Sequence, residues 1–388
     1  MGILVATMAL WLAARGLGVD ELHTTATAAG LLVLAAAIWV ASPQRVTTTI
    51  QAEPMLLTPG ERAAVRVTVA NTGVLPTPRA DIGIHHQEGV ELRPPPPLPA
   101  LAPGRRRTVT VDAVARRRGA HRLGPLEVLR RDPFGIVVRR AVLDASTELL
   151  VTPPTTTLAP PLPLVGVQGS GDAVARRTGW SGTDLVEIRP YVPGDDLRGV
   201  HWPSTAHRGE LMIRRVEEPQ SPRAGVFLDT RGTRFAGGRG RERFEVAVAA
   251  AASIGVHFID RGIDVAVVDG QTPRDASDPE PRSRLLRRLA RVSPGEATFD
   301  VALHDLEDLA AGTATLVAVI APTPADELAA LTRASRTSSQ CVAVVVGDGD
   351  DAAETAETLR RAGWRSTVLA DAGELPARWR ELTVARVG

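Results

Sequence analysis

Three successive patterns of hydrophobic and polar positions divide the chain. Two long apolar runs, at residues 3–19 and 24–41, come first. Short alternating segments, typical of half-buried β-strands, fill residues 46–153. From Arg223 onward, continuous apolar runs of strand length alternate with segments of helical spacing. The order predicts a multi-domain protein with a helical hairpin, a β-sandwich and an α/β domain.

The length of 388 residues exceeds what one ordinary hydrophobic core supports. We expect a transmembrane helical hairpin over residues 1–44 and a β-sandwich domain over residues 45–155. A linker with a polar segment follows over residues 156–222, and an α/β domain occupies residues 223–388.

Each of the two apolar runs is just long enough to cross a bilayer. The first carries only Arg15 and the second carries no charge, while Trp11 and Trp39 suit the membrane interfaces. The link GVDELH is acidic and arginines follow the second run, so the positive-inside tendency predicts a two-helix cell-membrane protein with its bulk in the cytoplasm. The alternatives are a buried soluble hairpin and a signal peptide, although no basic segment precedes the first run.

The overall composition excludes little beyond a nucleic-acid partner. The formal net charge is +1, so no general attraction to polyanions is expected. The single cysteine, Cys341, excludes an intramolecular disulfide and a cysteine-based zinc site. It lies in the apolar run QCVAVVVGD, which predicts a buried core thiol.

Regular short strands separated by turns such as TPGE, NTG and APGR predict an immunoglobulin-like sandwich. The run PPPPLPALAP lacks strand donors and is expected to be an edge or a loop. RRR triplets at 105–107 and 116–118 are interpreted as solvated strand ends, with contact to anionic lipid headgroups as the alternative. In the C-terminal domain, buried strand runs predict a parallel, Rossmann-like sheet covered on both faces. Its first strand ends at Asp229, on the edge where such sheets bind ligands.

The densest cluster of polar and aromatic residues is EIRPYVPGDDLRGVHWPSTAHRGELMIRRVEE, at 187–218. One interpretation is a polar scaffold. In it an aspartate caps a turn, arginines form bidentate hydrogen bonds with carboxylates, and the rings of Tyr191 and Trp202 are buried beneath this polar layer. A second is catalysis or metal binding by Asp195, Asp196 and His201. A third is a surface that docks a partner. Adjacent carboxylates of an extended chain point to opposite sides, which disfavours the second interpretation.

This stretch resembles domain-of-unknown-function family fifty-eight (DUF 58), and so does the upstream RRGAHRLGPLEVLRRDPFGIVVRR. The resemblance implies a bacterial membrane protein with a β-sandwich and a von Willebrand factor A-like domain, encoded beside a MoxR-type AAA+ ATPase. The positions that match the family signature are Glu187, Arg189, Tyr191, Pro193, Gly194, Asp195, Asp196, Arg198, His201, Trp202, Ser204, Ala206, Arg208 and Gly209. Pro203 and His207 stand where the family often has cations, which weakens an anion-binding interpretation.

The resemblance also directs attention to the end of the first strand of the C-terminal domain. The metal-ion-dependent adhesion site of von Willebrand factor A-like domains begins DxSxS, whereas this chain has Asp229-Thr230-Arg231-Gly232-Thr233. Asp229 and Thr233 are the candidate metal ligands, but Arg231 takes a hydroxyl position and repels a cation. We therefore expect a degenerate site with no cofactor and no tightly bound Mg²⁺, and with Asp229 paired to Arg231 or Arg234.

Together these patterns and the resemblance predict a membrane-anchored, non-enzymatic adaptor or assembly factor. That it works with a MoxR-type AAA+ ATPase is implied by the resemblance alone. A metal-dependent hydrolase and an outward-facing envelope-binding protein are the alternatives. The client is not specified by any residue pattern.

Overall fold

The computed structural model divides the chain into two compact units. The first comprises Met1–Pro154 with Leu286–Arg291, and the second comprises Thr155–Leu285 with Val292–Gly388. The described residues are 2–18, 20–41, 45–132, 134–135, 137–159, 186–191, 200, 202–216, 223–271 and 281–384.

Two helices begin the first unit. Helix α1 spans Gly2–Leu17 and helix α2 spans Asp20–Ala41. Among the described residues, one stretch, Asp20–Trp39, is long and apolar enough to cross a membrane, and Val5–Leu17 is a shorter apolar helix. A candidate membrane-spanning helix therefore lies near the N-terminus, and a pair of spanning helices stays a prediction.

The rest of the first unit is β-rich, as predicted. Its strands are β1 (Val46–Glu53), β2 (Leu56–Leu57), β3 (Arg62–Asn71), β4 (Ala80–His86), β5 (Val90–Leu92), β6 (Arg106–Ala115), β7 (Gly119–Arg131), β8 (Val138–Leu143) and β9 (Thr147–Val151). One sheet has the order β1-β3-β6-β5 and the other β2-β9-β7-β4, with β8 paired to β7.

Alternation of inward apolar and outward polar residues explains the packing of these two sheets. On β3, for example, Val65, Val67 and Val69 are buried, and the residues between them are more exposed. Their partners in the apolar core include Val109 and Val111 on β6 and Leu123 and Leu126 on β7. The proline-rich run forms a connection rather than a strand, since Leu98 and Leu101 make only isolated bridges to Ala80 and Thr77.

The second unit contains the predicted parallel sheet. Its strands are β12 (Arg223–Leu228), β13 (Asp264–Val268), β14 (Thr315–Ile320), β15 (Gln340–Val346) and β16 (Arg365–Leu369), in the order β13-β12-β14-β15-β16. All four strand pairs are parallel. Every residue of β14 is buried, as expected of a central strand covered on both faces.

Helices cover this sheet. They are α4 (Gly240–Ile259), α6 (Phe299–Ala311), α7 (Ala325–Ala334), α8 (Asp350–Arg361) and α9 (Leu375–Val384). Helix α5 (Arg282–Arg291) has its first residues in this unit, whereas Leu286–Arg291 belongs to the first unit. The sequence interpretation missed α9, although Leu375, Trp379 and Leu382 have helical spacing and are buried. Trp379 is fully buried, with its ring 5.3 Å from that of His257 and 6.2 Å from that of Phe258 on α4.

The predicted linker begins with residues that pack on the second unit. The backbone N–H of Thr156 donates to Ser253 Oγ (3.1 Å), and Leu158 is 1% exposed. Residues 160–185 of that linker lie outside the described residues.

Candidate functional site

The carboxyl edge of the parallel sheet carries a buried ionic network, which we call the strand-end site. It consists of Asp229, Arg231, Arg234 and Glu327. Asp229 directly follows β12, and its backbone N–H donates to the carbonyl of Val319, so the acid continues the sheet by one position (3.0 Å). Asp229 is 0% exposed and Arg231 is 4% exposed.

Arg231 folds back onto the carboxylate that precedes it. Its Nε donates to Asp229 Oδ1 (2.9 Å) and its Nη2 donates to Asp229 Oδ2 (2.8 Å). The backbone N–H of Arg231 also donates to Oδ1 (3.1 Å). Both carboxylate oxygens are thereby occupied by one guanidinium in the bidentate geometry that arginine favours.

Glu327, in the first turn of α7, completes the network from a distant part of the chain. It accepts from Arg231 Nη1 (2.7 Å) and from Arg234 Nη2 (2.5 Å). The Arg231 guanidinium also lies over the ring of Phe299, 5.1 Å from its centroid. Two acids and two arginines leave the network formally neutral.

The electrostatics keep Arg231 charged. Burial acts to lower the pKa of Arg231, but hydrogen bonds and charge attraction from Asp229 and Glu327 outweigh it, so the pKa lies above its ordinary value. Arg231 is therefore permanently charged, and it binds the carboxylate that a metal ion would need as its ligand.

Of the two predicted partners of Asp229, Arg231 is the one that pairs with it, whereas Arg234 pairs with Glu327. The other predicted metal ligand, Thr233, is exposed in a 3-10 turn formed by Gly232–Phe235. The neighbouring Thr230 is buried, and its hydroxyl donates to the carbonyl of Asp269 (2.7 Å). In the part of the chain that the structure describes, no group of three or more His, Cys, Asp and Glu side chains is arranged to hold a metal ion.

The described part of the family signature consists of a short two-stranded ribbon and a helix. Strand β10 (Val186–Pro190) pairs antiparallel with β11 (Met212–Val216), and helix α3 (Trp202–Arg208) lies between them in sequence. Glu187 and Arg189 lie in β10, opposite Arg215 and Ile213. The ribbon continues at Tyr191, whose backbone N–H donates to the carbonyl of Leu211 (2.8 Å).

Helix α3 ends in a tight turn at Gly209, where φ is 75° and a glycine is favoured. The Gly209 N–H donates to the carbonyl of Thr205 (2.9 Å), and the Thr205 hydroxyl accepts from the N–H of Met212 (3.0 Å). Ala206, Arg208 and Gly209 are exposed, whereas Ser204 and Tyr191 are half-buried.

Trp202 corrects one expectation. Its ring was predicted to be buried beneath a polar layer, but Trp202 is 69% exposed. Pro193, Gly194, Asp195, Asp196, Arg198 and His201 lie outside the described residues, so the catalytic alternative stays a prediction.

Comparison with known proteins agrees with the suspected family over part of the chain. The model of the family described as "Protein of unknown function DUF58" matches residues 187–367, somewhat less than half of the chain. A search of curated proteins found no match.

Two solved structures are similar to parts of the chain. One is a von Willebrand factor type A protein from Catenulispora acidiphila, at 17% identity and a TM-score of 0.30, over 44% of this chain and 43% of that one. The other is a CARDB domain from Pyrococcus furiosus, at 18% identity and a TM-score of 0.21, over 28% of this chain and 93% of that one.

Proposed function

We propose that this chain is a membrane-anchored, non-enzymatic adaptor that works with a MoxR-type AAA+ ATPase. The family match supports this class of protein, and the partner comes from the resemblance of the signature segment to that family. The anchor is α2, with α1 as its companion in a hairpin, and the bulk of the chain lies in the cytoplasm.

The closed strand-end site is the observation that favours an adaptor over an enzyme. Parallel sheets of this kind bind ligands at the carboxyl ends of their strands. Here the carboxylate at that position, Asp229, is fully buried and both its oxygens are taken by Arg231. Such a carboxylate is not free to act as a base or to bind a metal, and the network instead fixes the loop after β12.

The exposed ring of Trp202 favours docking over a purely internal scaffold. Exposed tryptophan and arginine are the residue types that most often supply binding energy at protein interfaces. Trp202 begins α3, and Arg208 ends it with an exposed side chain. We therefore assign the ATPase contact to α3.

The test is the effect of Trp202→Ala on partner binding by the full-length protein in mild detergent. A MoxR-type AAA+ ATPase, the proposed partner, is purified separately; its affinity for the chain is measured, and its ATP hydrolysis rate is measured with and without the chain. Loss of a central interface tryptophan commonly costs 2 kcal/mol or more, so binding is expected to weaken about 30-fold or more. Because Trp202 is exposed, the stability of the variant is expected to stay unchanged.

A matched control is Val301→Ala, which truncates another exposed apolar side chain of the same unit, 47% exposed on α6. This variant is expected to bind the ATPase as the wild type does. The proposal fails if the purified ATPase neither binds the wild-type chain nor changes its hydrolysis rate under any nucleotide condition. An extracellular C-terminus, measured with a topology reporter, contradicts it equally.

A further inference from the structure

Exposed apolar side chains gather at one end of the β-sandwich. Val74 is 89% exposed and Leu75 is 58% exposed in the connection between β3 and β4. Phe134 is 65% exposed in the turn between β7 and β8, and Val138, the first residue of β8, is 47% exposed. Grouped apolar exposure of this kind usually marks a surface that contacts another molecule or a membrane.

Asp132 and Gly135, in the sequence DPFG at 132–135, fix the backbone of the turn that exposes Phe134. The carboxylate of Asp132 is buried and accepts from the N–H groups of Phe134 and Val137, both at 2.9 Å. Gly135 adopts a φ of 72° and donates its N–H to the carbonyl of Asp132 (3.1 Å). The backbone is therefore held by the acid while the aromatic ring projects outward.

This end of the sandwich is also where the chain arrives from α2. Arg139 Nη1 donates to the carbonyl of Ala41, the last residue of α2 (2.8 Å). The carbonyl of Arg45 accepts from the backbone N–H (2.9 Å) and the hydroxyl (3.0 Å) of Thr72, next to Val74. The four residue-to-residue steps from Ala41 to Arg45 span at most about 14 Å, so a bilayer crossed by α2 lies against this end.

Three consecutive arginines lie at the same end of the sandwich. Arg105, Arg106 and Arg107 are all exposed at the start of β6, and the carbonyl of Arg105 accepts from the N–H of Asn71 (2.9 Å). Within the described residues, no ion pair to a carboxylate involves any of these three arginines. The second triplet lies at the opposite end of β6, where Arg116 pairs with Glu91 (2.8 Å) and Arg117 with Glu88 (3.8 Å).

We propose that this end of the sandwich docks on anionic lipid headgroups beside α2. Val74, Leu75, Phe134 and Val138 enter the interfacial layer, and Arg105–Arg107 bind lipid phosphates. Electrostatic attraction of juxtamembrane arginines to anionic lipid and burial of apolar side chains in the interface both favour this contact. The inference rests on the membrane anchor of the proposed function, but not on its ATPase partner or on which side of the membrane the sandwich lies.

The test is the environment of a fluorophore placed at Phe134 in the full-length protein. Cys341 is replaced by serine, Phe134→Cys is labelled with an environment-sensitive dye, and the protein is reconstituted into phosphatidylcholine vesicles with or without phosphatidylglycerol. The dye is expected to be quenched by lipids that carry a quencher near the headgroup, more strongly with phosphatidylglycerol and less at high salt. The matched control is Met55→Cys, a 62% exposed apolar position at the far end of the sandwich, which is expected to stay in water.

The two arginine triplets supply a second matched comparison. Arg105→Gln/Arg106→Gln is expected to reduce the ratio of docked to undocked protein about ten-fold or more, and Arg116→Gln/Arg117→Gln is expected to leave it unchanged. Equal effects of the two pairs, or equal quenching in the two lipid mixtures, overturn the role of anionic lipid.

A dye at Leu34→Cys, a 56% exposed position on α2, separates the two proposals. If acyl-chain quenchers reach position 34 while position 134 stays in water, the docking inference is wrong and the anchor stands. If neither position is reached, the membrane anchor fails and the docking inference fails with it.

Discussion

Replacement of Arg231 by methionine is the sharpest test of the strand-end site. Arg231→Met keeps a long side chain that can still pack on Phe299, but it withdraws the guanidinium from Asp229. That carboxylate, 0% exposed, then retains one hydrogen-bond donor among the described residues, the backbone N–H at position 231 (3.1 Å). A buried charge without a counterion is strongly unfavourable.

The expected loss follows from this geometry. Breaking a buried ion pair by removing one partner typically costs about 3–5 kcal/mol. For a domain of this size, each kcal/mol lowers the melting temperature by about 2–4 °C, so Arg231→Met is expected to melt about 6–20 °C lower.

A second substitution tests whether the cost arises from the stranded charge. Asp229→Asn keeps the shape of the side chain and the oxygen that accepts from the Arg231 N–H, but removes the charge. The double variant Asp229→Asn/Arg231→Met is therefore expected to be more stable than Arg231→Met alone. The coupling free energy between the two positions should reach about 2 kcal/mol or more, as residues in direct contact commonly show.

Hydrogen exchange is the suitable assay because the protein contains two compact units and a global transition mixes them. Amides of β12 and β14 report opening of the parallel sheet alone, and their opening free energies complete the double-mutant cycle. Additive losses in the two single variants, or an Arg231→Met variant as stable as the wild type, would refute an essential buried pair at this site.

Four further predictions concern the second unit. Burial, followed by the charge of Arg261, lowers the pKa of His257 to about 4, below its ordinary 6.5. The unfolded chain therefore binds more protons, and stability is lost as pH falls from about 6.5 to 4, by up to about 3 kcal/mol; His257→Gln should remove that dependence in pH-dependent melting. Trp379→Ala should cost about 3–5 kcal/mol in urea unfolding, because the ring is fully buried. The thiol of Cys341 should react slowly with a thiol reagent at neutral pH, because burial raises its pKa. Added Mg²⁺ should leave wild-type melting unchanged, because the Arg231 cation occupies Asp229.

The strand-end site shows how far local sequence patterns reach. A buried apolar run that ends in Asp229, with arginines two and five positions later, predicts that this acid pairs with Arg231 or Arg234, and the structure pairs it with Arg231. Glu327 was missed because its position 96 residues further along depends on which helix begins beside β12. The proximity of Glu327 to Arg231 follows from the order of the parallel strands, which cannot be predicted from the local spacing of residues.

Two aromatic residues illustrate a different limit. Trp379 is fully buried and Trp202 is 69% exposed, although tryptophan in general favours burial. Helical spacing with Leu375 and Leu382 could have identified Trp379 as a core residue. No such pattern surrounds Trp202, since α3 is short and its neighbours Ser204, Thr205 and Arg208 are polar, so its exposure required the structure.

The two arginine triplets show the same limit for charge, because each consists of three consecutive arginines. Strand β6 runs from one triplet to the other, so they lie at opposite ends of the sandwich. Arg116 and Arg117 meet acids brought by β5 and by the turn before it, whereas Arg105–Arg107 lie at the end where α2 arrives. Two arginines of the triplet at 116–118 are thus paired with acids within the fold. The triplet at 105–107 has no such pair among the described residues, so its charge is available to an external partner. If α2 crosses a bilayer, the nearest such partner is the lipid surface itself.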